Sequence, residues 1–135
     1  MANCKTNLSP THIRYLLAML CEQRACGIVR CTSLAATLGI KKPSVHAMLG
    51  VLAQRGLAEK NERGEIQLTP RGMQLGTQYQ KGFGRVQAVL RREFPGFCDT
   101  GEVCCLLLSK LSHAQLCALQ DAQGVFDAVR NADLT

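Results

Sequence analysis

The sequence predicts a mainly α-helical chain carrying one small β-hairpin. Apolar residues recur at helical spacing in several separate stretches. Ser-Pro and Thr-Pro pairs stand where helices would start. One polar turn containing glycine separates two short extended runs.

Ser9 as an N-cap with Pro10 behind it opens a helix over 10–23, whose apolar face is Ile13, Leu16, Leu17 and Leu20. After Ala25-Cys26-Gly27, Thr32 is placed to cap a short helix carrying Leu34, Ala35 and Leu38. Gly39 ends it in the left-handed C-cap geometry, and Ala35 and Gly39 together leave room for a close crossing by the next helix. That helix, over 43–55, starts at Lys42-Pro43, buries Val45, Met48, Leu49 and Leu52, and closes at Gly56. The runs 57–60 and 65–68 flank the turn 61–64 as a hairpin. Thr69-Pro70 repeats the cap signal and opens a long helix to about residue 92, with Met73, Tyr79, Phe83, Val86, Val89 and Leu90 as its apolar positions. Gly72, Gly76, Gly82 and Gly84 each weaken it by about 1 kcal/mol relative to alanine. Beyond Phe94-Pro95-Gly96, Thr100 caps a helix through Val103, Leu106 and Leu107. Ser112 and Gln115 form a capping-box pattern ahead of a helix that reaches Val129, kinked at Gly124.

Helix, turn, helix, hairpin is the order of a winged helix-turn-helix. The predicted organisation is therefore a DNA-binding domain over 1–71, a connecting helix over 72–93 and a helical dimerisation part over 94–135. The charge supports this division. Residues 1–92 hold 14 Lys and Arg against 4 Asp and Glu, and residues 93–135 hold 2 against 6. A basic first part points to a polyanion, most simply double-stranded DNA. Lys41, Lys42, Pro43, Ser44 and His46 lie at or near the start of the 43–55 helix, where recognition helices meet DNA. Lys60 and Arg63 belong to the hairpin and reach phosphate or the minor groove. With 2 Tyr, 4 Phe and no Trp, the aromatic platforms of an RNA-binding module are scarce.

Composition excludes other classes. At 135 residues and 47% apolar, the chain fits one folded domain with at most a small appendage. No run of about 18 apolar residues is present, so no membrane span is expected. The start, Met1-Ala2-Asn3-Cys4-Lys5, has no apolar signal core, and a cytoplasmic protein is the expectation. Reducing surroundings argue against a disulfide scaffold for the 8 cysteines. His12, His46 and His113 fall on three different predicted helices or caps, and neither a Ser/His/Asp arrangement nor a phosphate-binding loop is present, so an enzyme is not expected.

The stretch Val29-Arg30-Cys31-Thr32-Ser33-Leu34-Ala35-Ala36-Thr37-Leu38-Gly39-Ile40, with Lys41-Lys42-Pro43-Ser44-Val45-His46-Ala47-Met48-Leu49 after it, resembles the helix-turn-helix of the diphtheria-toxin-repressor family. The segment from Gly56-Leu57 to Leu68-Thr69-Pro70-Arg71-Gly72 resembles that family's wing and exit, and the likeness extends over about residues 8–120. The family comprises iron- or manganese-responsive transcriptional regulators. The resemblance implies a homodimer joined by the C-terminal helical part and a metal that licenses DNA binding. It puts Lys41, Pro43 and Ser44 at DNA-touching positions and Ala47 where a longer base-reading side chain can sit.

The family's metal ligands are not matched. Its first-helix positions fall on Thr11 and Arg14, its connecting-helix position on or near Phe83, and its ligand cluster on Gly101, Cys104 and Cys105. Sulfur remains: Cys104 and Cys105, with Cys98 and a register-shifted His12 as further candidates, would favour zinc, copper or iron. Cys21, Cys26 and Cys31 form a second set at five-residue steps, and neither set contains a C-x-x-C. Each cysteine has a plainer role as a small core residue, the expectation for Cys21 and Cys117. A thiol sensor at Cys104, with Arg14 as its nearby cation, is a third role. Two functions follow. One is a dimeric, sequence-specific DNA-binding regulator; the other is a protein-interaction or thiol/metal sensor module whose winged helix does not bind DNA.

Overall fold

The computed structural model of the chain describes residues 8–96, 100–112 and 114–116. Ser9–Thr77 forms one compact unit; Leu8 and the described residues from Gln78 onward belong to a second.

The first unit is a winged helix-turn-helix. Helix α1 (Pro10–Cys26) starts as the Ser9-Pro10 pair predicts. The Ser9 hydroxyl accepts from the His12 backbone N–H at 3.2 Å, and the Ser9 N–H donates to His12 Nδ1 at 3.4 Å. This is a capping box closed by an imidazole in place of the usual Glu or Gln. Gly27, at φ 86°, ends the helix three residues beyond the predicted 23. Ile13, Leu16, Met19 and Leu20 are fully buried. Cys21 is exposed. It is not the core residue expected, because one helical step of about 100° turns it away from the side that Leu20 buries.

Helix α2 (Cys31–Leu38) begins before Thr32, so the predicted Thr32 cap is not used. Val29 pairs with Ile66, its N–H donating to the Ile66 carbonyl at 2.8 Å, and the Glu22 carboxylate accepts the Arg30 N–H at 2.8 Å. These two bonds hold the chain extended up to Arg30, which becomes the N-cap. Gly39 adopts φ 70°, as its C-cap role requires, but a Cβ there would meet nothing. Its purpose is the left-handed turn alone, not room for a helix crossing.

Helix α3 (Lys42–Gln54) is capped by Lys41, whose carbonyl accepts from Ser44 and Val45. Val45, Leu49 and Leu52 are buried, while Met48 is half-buried. Strands β1 (Ala58–Lys60) and β2 (Ile66–Leu68) pair antiparallel, Glu59 opposite Gln67. Asn61 organises their turn: its Oδ1 accepts the N–H groups of Arg63 and Glu65, both at 2.9 Å. Within this unit α2 packs on α1 and α3, β2 on α1, and β1 on α3, which closes the core around Leu16, Leu34, Val45 and Leu68.

Helix α4 (Pro70–Glu93) is capped as Thr69-Pro70 predicts. The Thr69 hydroxyl accepts the Gly72 N–H at 3.0 Å and donates to the Gly56 carbonyl at 2.6 Å. One of the glycines expected only to weaken α4 has a packing reason. A Cβ on Gly72 would collide with the Leu57 carbonyl, whereas one on Gly76 would meet Leu16 and Leu20 at ordinary van der Waals distance.

In the second unit, Tyr79 of α4 is buried. Val89 was expected on the apolar face and is 50% exposed. Helix α5 (Thr100–Ser109) has Thr100 as its first helical residue rather than as a residue preceding it. It buries Cys104, Cys105 and Leu108, and leaves Leu106 and Leu107 exposed. The Ser112–Gln115 capping box forms in both directions, at 2.9 and 3.2 Å, and residues 114–116 are helical. The remainder of that helix with Gly124, and Cys4, Cys98, His113 and Cys117, lie outside the described residues. No described helix is long and apolar enough to cross a membrane.

The two kinds of helical glycine differ in what alanine would do. Gly72→Ala should lower the urea midpoint, an overpacking loss of about 1–3 kcal/mol. Gly84→Ala, where a Cβ meets nothing, should raise it by up to about 1 kcal/mol. Equal shifts in the two unfolding curves would refute the close approach at Leu57.

Candidate nucleic-acid interface

The buried ridge of α3 decides what its other side presents. With Val45, Leu49 and Leu52 turned inward, Pro43, Ala47, Gly50 and Gln54 fall in the middle of the opposite side. All four are exposed, as are Lys42, Ser44 and His46 beside them. Lys41 is exposed at the N-cap. The positive end of the helix dipole favours an anion, and no acid stands in this first turn to oppose one. The predicted cluster Lys41, Lys42, Pro43, Ser44 and His46 is thus brought together at one helix end.

Lys60 closes β1 and Arg63 lies in the hairpin turn; both are exposed. The turn is stiffened by the Asn61 bonds and by a third, from Asn61 Nδ2 to the Glu65 carboxylate at 2.9 Å. Arg63 therefore projects from a defined tip rather than from a slack loop. Ser9–Thr77 carries nine Lys and Arg against four Asp and Glu, so this unit has a net charge of +5.

The central strip of α3 is poor in side chains that read bases. Ala47 and Gly50 carry none, and Val51, 37% exposed at the margin, is apolar. A contact not visible in the sequence lies beside this strip. Cys31 Sγ, at the start of α2, is 3.8 Å from His46 Nδ1 on α3. The residues are fifteen positions apart on different helices, and no periodicity or motif links them.

The residues at or beside the positions that hold metal in the resembling family make other contacts. Arg14 donates from Nη2 to the carbonyl of Leu38, the last residue of α2, at 3.4 Å. This satisfies an orphan carbonyl at a helix C-terminus. His12 spends Nδ1 on the capping box; burial, with the Arg55 charge adding to it, pushes its pKa below the ordinary histidine value and keeps that nitrogen an acceptor. Cys104 and Cys105 are buried. Burial pushes the Cys104 thiol up, and Arg91, rather than Arg14, is the cation that works against that shift. A raised, buried thiol is the reverse of an activated one. Among the described residues no three His, Cys, Asp or Glu side chains come together as a metal site. This donor set does not fit an iron or manganese ion.

Residues 16–62 match the model of the IclR helix-turn-helix domain family. No curated relative matches the chain. Among solved structures the chain is similar to IdeR of T. acidophilum, with 19% identity and a TM-score of 0.61 over 83% of this chain and 53% of that one. It is also similar to the manganese regulator SloR, with 17% identity and a TM-score of 0.67 over 84% and 54%. A hypothetical protein of Sulfolobus solfataricus matches over 87% of this chain and 90% of its own length, with 19% identity and a TM-score of 0.59. The chain thus spans about half the length of IdeR and SloR. What it shares with these proteins is the fold, a winged helix-turn-helix followed by helices.

Proposed function

We propose that this chain is a DNA-binding transcriptional regulator that acts as a homodimer. The observation that carries it is the exposed N-terminal end of α3, where Lys41, Lys42, Ser44 and His46 flank a strip low enough to enter a major groove. Arg63 and Lys60 on the wing extend the basic surface to the adjoining backbone. The likeness to regulators and the match to a helix-turn-helix family support the same reading. Because Ala47 and Gly50 offer at most a methyl contact, sequence preference depends on Ser44, His46 and Gln54, with DNA shape as the remainder.

The dimer is supported by apolar surface in the second unit. Val89, Phe94, Leu106 and Leu107 are 50, 58, 49 and 44% exposed, a large amount of uncovered apolar side chain for so short a segment. A second copy covering it would set two α3 helices on one duplex.

The residues at the positions that hold metal in the resembling family do not suit its iron or manganese. Iron or manganese would need oxygen and imidazole donors where this chain has Thr11, Arg14, Phe83 and Gly101.

Salt titration of duplex binding tests the main proposal. The Lys41→Ala/Lys42→Ala double variant should weaken binding to every sequence alike. It should also flatten the log–log salt dependence by about 2, one lost phosphate contact per lysine. If wild-type protein retains no duplex at low salt, DNA binding is refuted and the interaction-module alternative stands. Adding EDTA should leave wild-type affinity within about twofold; a large loss restored by manganese or iron would overturn the misfit of these donors to that metal. Sedimentation equilibrium should give a dimer that Leu106→Asp dissociates. A wild-type monomer at concentrations that bind DNA would exclude the dimer.

A further inference from the structure

We propose that Cys31 is a modification site for low-molecular-weight disulfides, and that its thiolation withdraws α3 from DNA. The consequence rests on the DNA-binding reading; the chemistry of the site does not.

Three features meet at this sulfur. Cys31 is the first residue of α2, an eight-residue helix whose first turn holds no acid and whose N-cap, Arg30, makes no side-chain cap. The first-turn N–H groups at this end of the helix have no intrahelical partners. His46 Nδ1 stands 3.8 Å from Sγ, within hydrogen-bond reach for sulfur. In the tautomer protonated on Nε2 it accepts the thiol proton, the pairing that activates nucleophilic cysteines. Finally, Cys31 is partly exposed, so a small disulfide can reach it. The Glu22 carboxylate is held to the Arg30 N–H at 2.8 Å, where it supports the turn that presents Cys31.

The step balances without a metal or a further oxidant. The Cys31 thiol passes its proton to His46. The thiolate attacks one sulfur of the incoming disulfide; a new S–S bond forms as the old one breaks. The departing half leaves as a thiolate and takes up the proton, so Cys31 is oxidised and the released thiol is reduced.

Position links this chemistry to binding. His46 lies on the exposed side of α3, next to Ala47 and one turn before Gly50. That strip is low because its residues are small. A tripeptide attached to Cys31 would stand beside it and hold a duplex away. If the adduct is glutathione, its net negative charge also opposes phosphate.

Full-length reduced protein is treated with oxidised glutathione, free thiols are then alkylated, and the adducts are mapped by peptide mass spectrometry. Cys31 should be modified about tenfold faster than Cys21 and Cys26, which are more exposed on α1, and His46→Gln should remove most of that advantage. A Cys31 rate equal to theirs, or one indifferent to His46→Gln, overturns the site. Retention of a random-sequence duplex at low salt should fall at least about tenfold on thiolation, return with dithiothreitol, and stay constant in Cys31→Ser. Unchanged retention at full Cys31 modification overturns the switch and leaves DNA binding standing. Failure of the reduced protein to retain duplex overturns DNA binding, and the mapping then decides the site by itself.

Discussion

The apolar ridge of Val45, Leu49 and Leu52 on α3 is the constraint from which the rest of the first unit follows. Each of these residues is at most 5% exposed. Burying a Val or Leu side chain is worth about 1.5–3 kcal/mol, so rotating α3 to hide its other side would forfeit several kcal/mol. The helix is therefore pinned in one orientation against α2, and the lysines at its start have no choice but solvent. The wing obeys the same constraint. Strand β1 packs on α3, and β2 is tied to α1 by Gln23, whose Oε1 accepts the Leu68 N–H at 2.6 Å. Arg63 thus has a defined place along the chain of contacts that begins at the ridge.

Much of this architecture was readable in the residues because it is local. Ser9-Pro10, Thr69-Pro70 and Ser112 with Gln115 are short capping patterns whose hydrogen bonds close within three residues, and all three form. The core positions of α2 and α3 follow from helical periodicity, with only Met48 less buried than expected. Where tertiary contacts decide, local signals mislead. Thr32 is a good cap, but the pairing of Val29 with Ile66 and the grip of Glu22 on Arg30 start the helix earlier. Gly72 reads as a weakness of α4 until the Leu57 carbonyl is seen against it.

The candidate site divides in the same way. The basic cluster was visible, since its members lie within six residues of one another. The Cys31–His46 contact was not, because it exists only when α2 crosses α3. The cysteines show how little composition says about role. Cys21 and Cys26 are exposed, Cys104 and Cys105 are buried, and Cys31 sits against an imidazole. The likeness to IdeR and the manganese regulator SloR is one of fold, and in this chain Arg14 and His12 are committed to helix ends.

Gly50 has a consequence for how such a protein diversifies. It sits in mid-helix with open space where a side chain would be, and glycine there costs about 1 kcal/mol of helix stability relative to alanine. Ala47, one turn earlier, is exposed too. New side chains at these two positions would leave the ridge untouched. Duplicated copies of the gene could therefore drift toward different target sequences through a pair of codons, without first acquiring stabilising changes elsewhere.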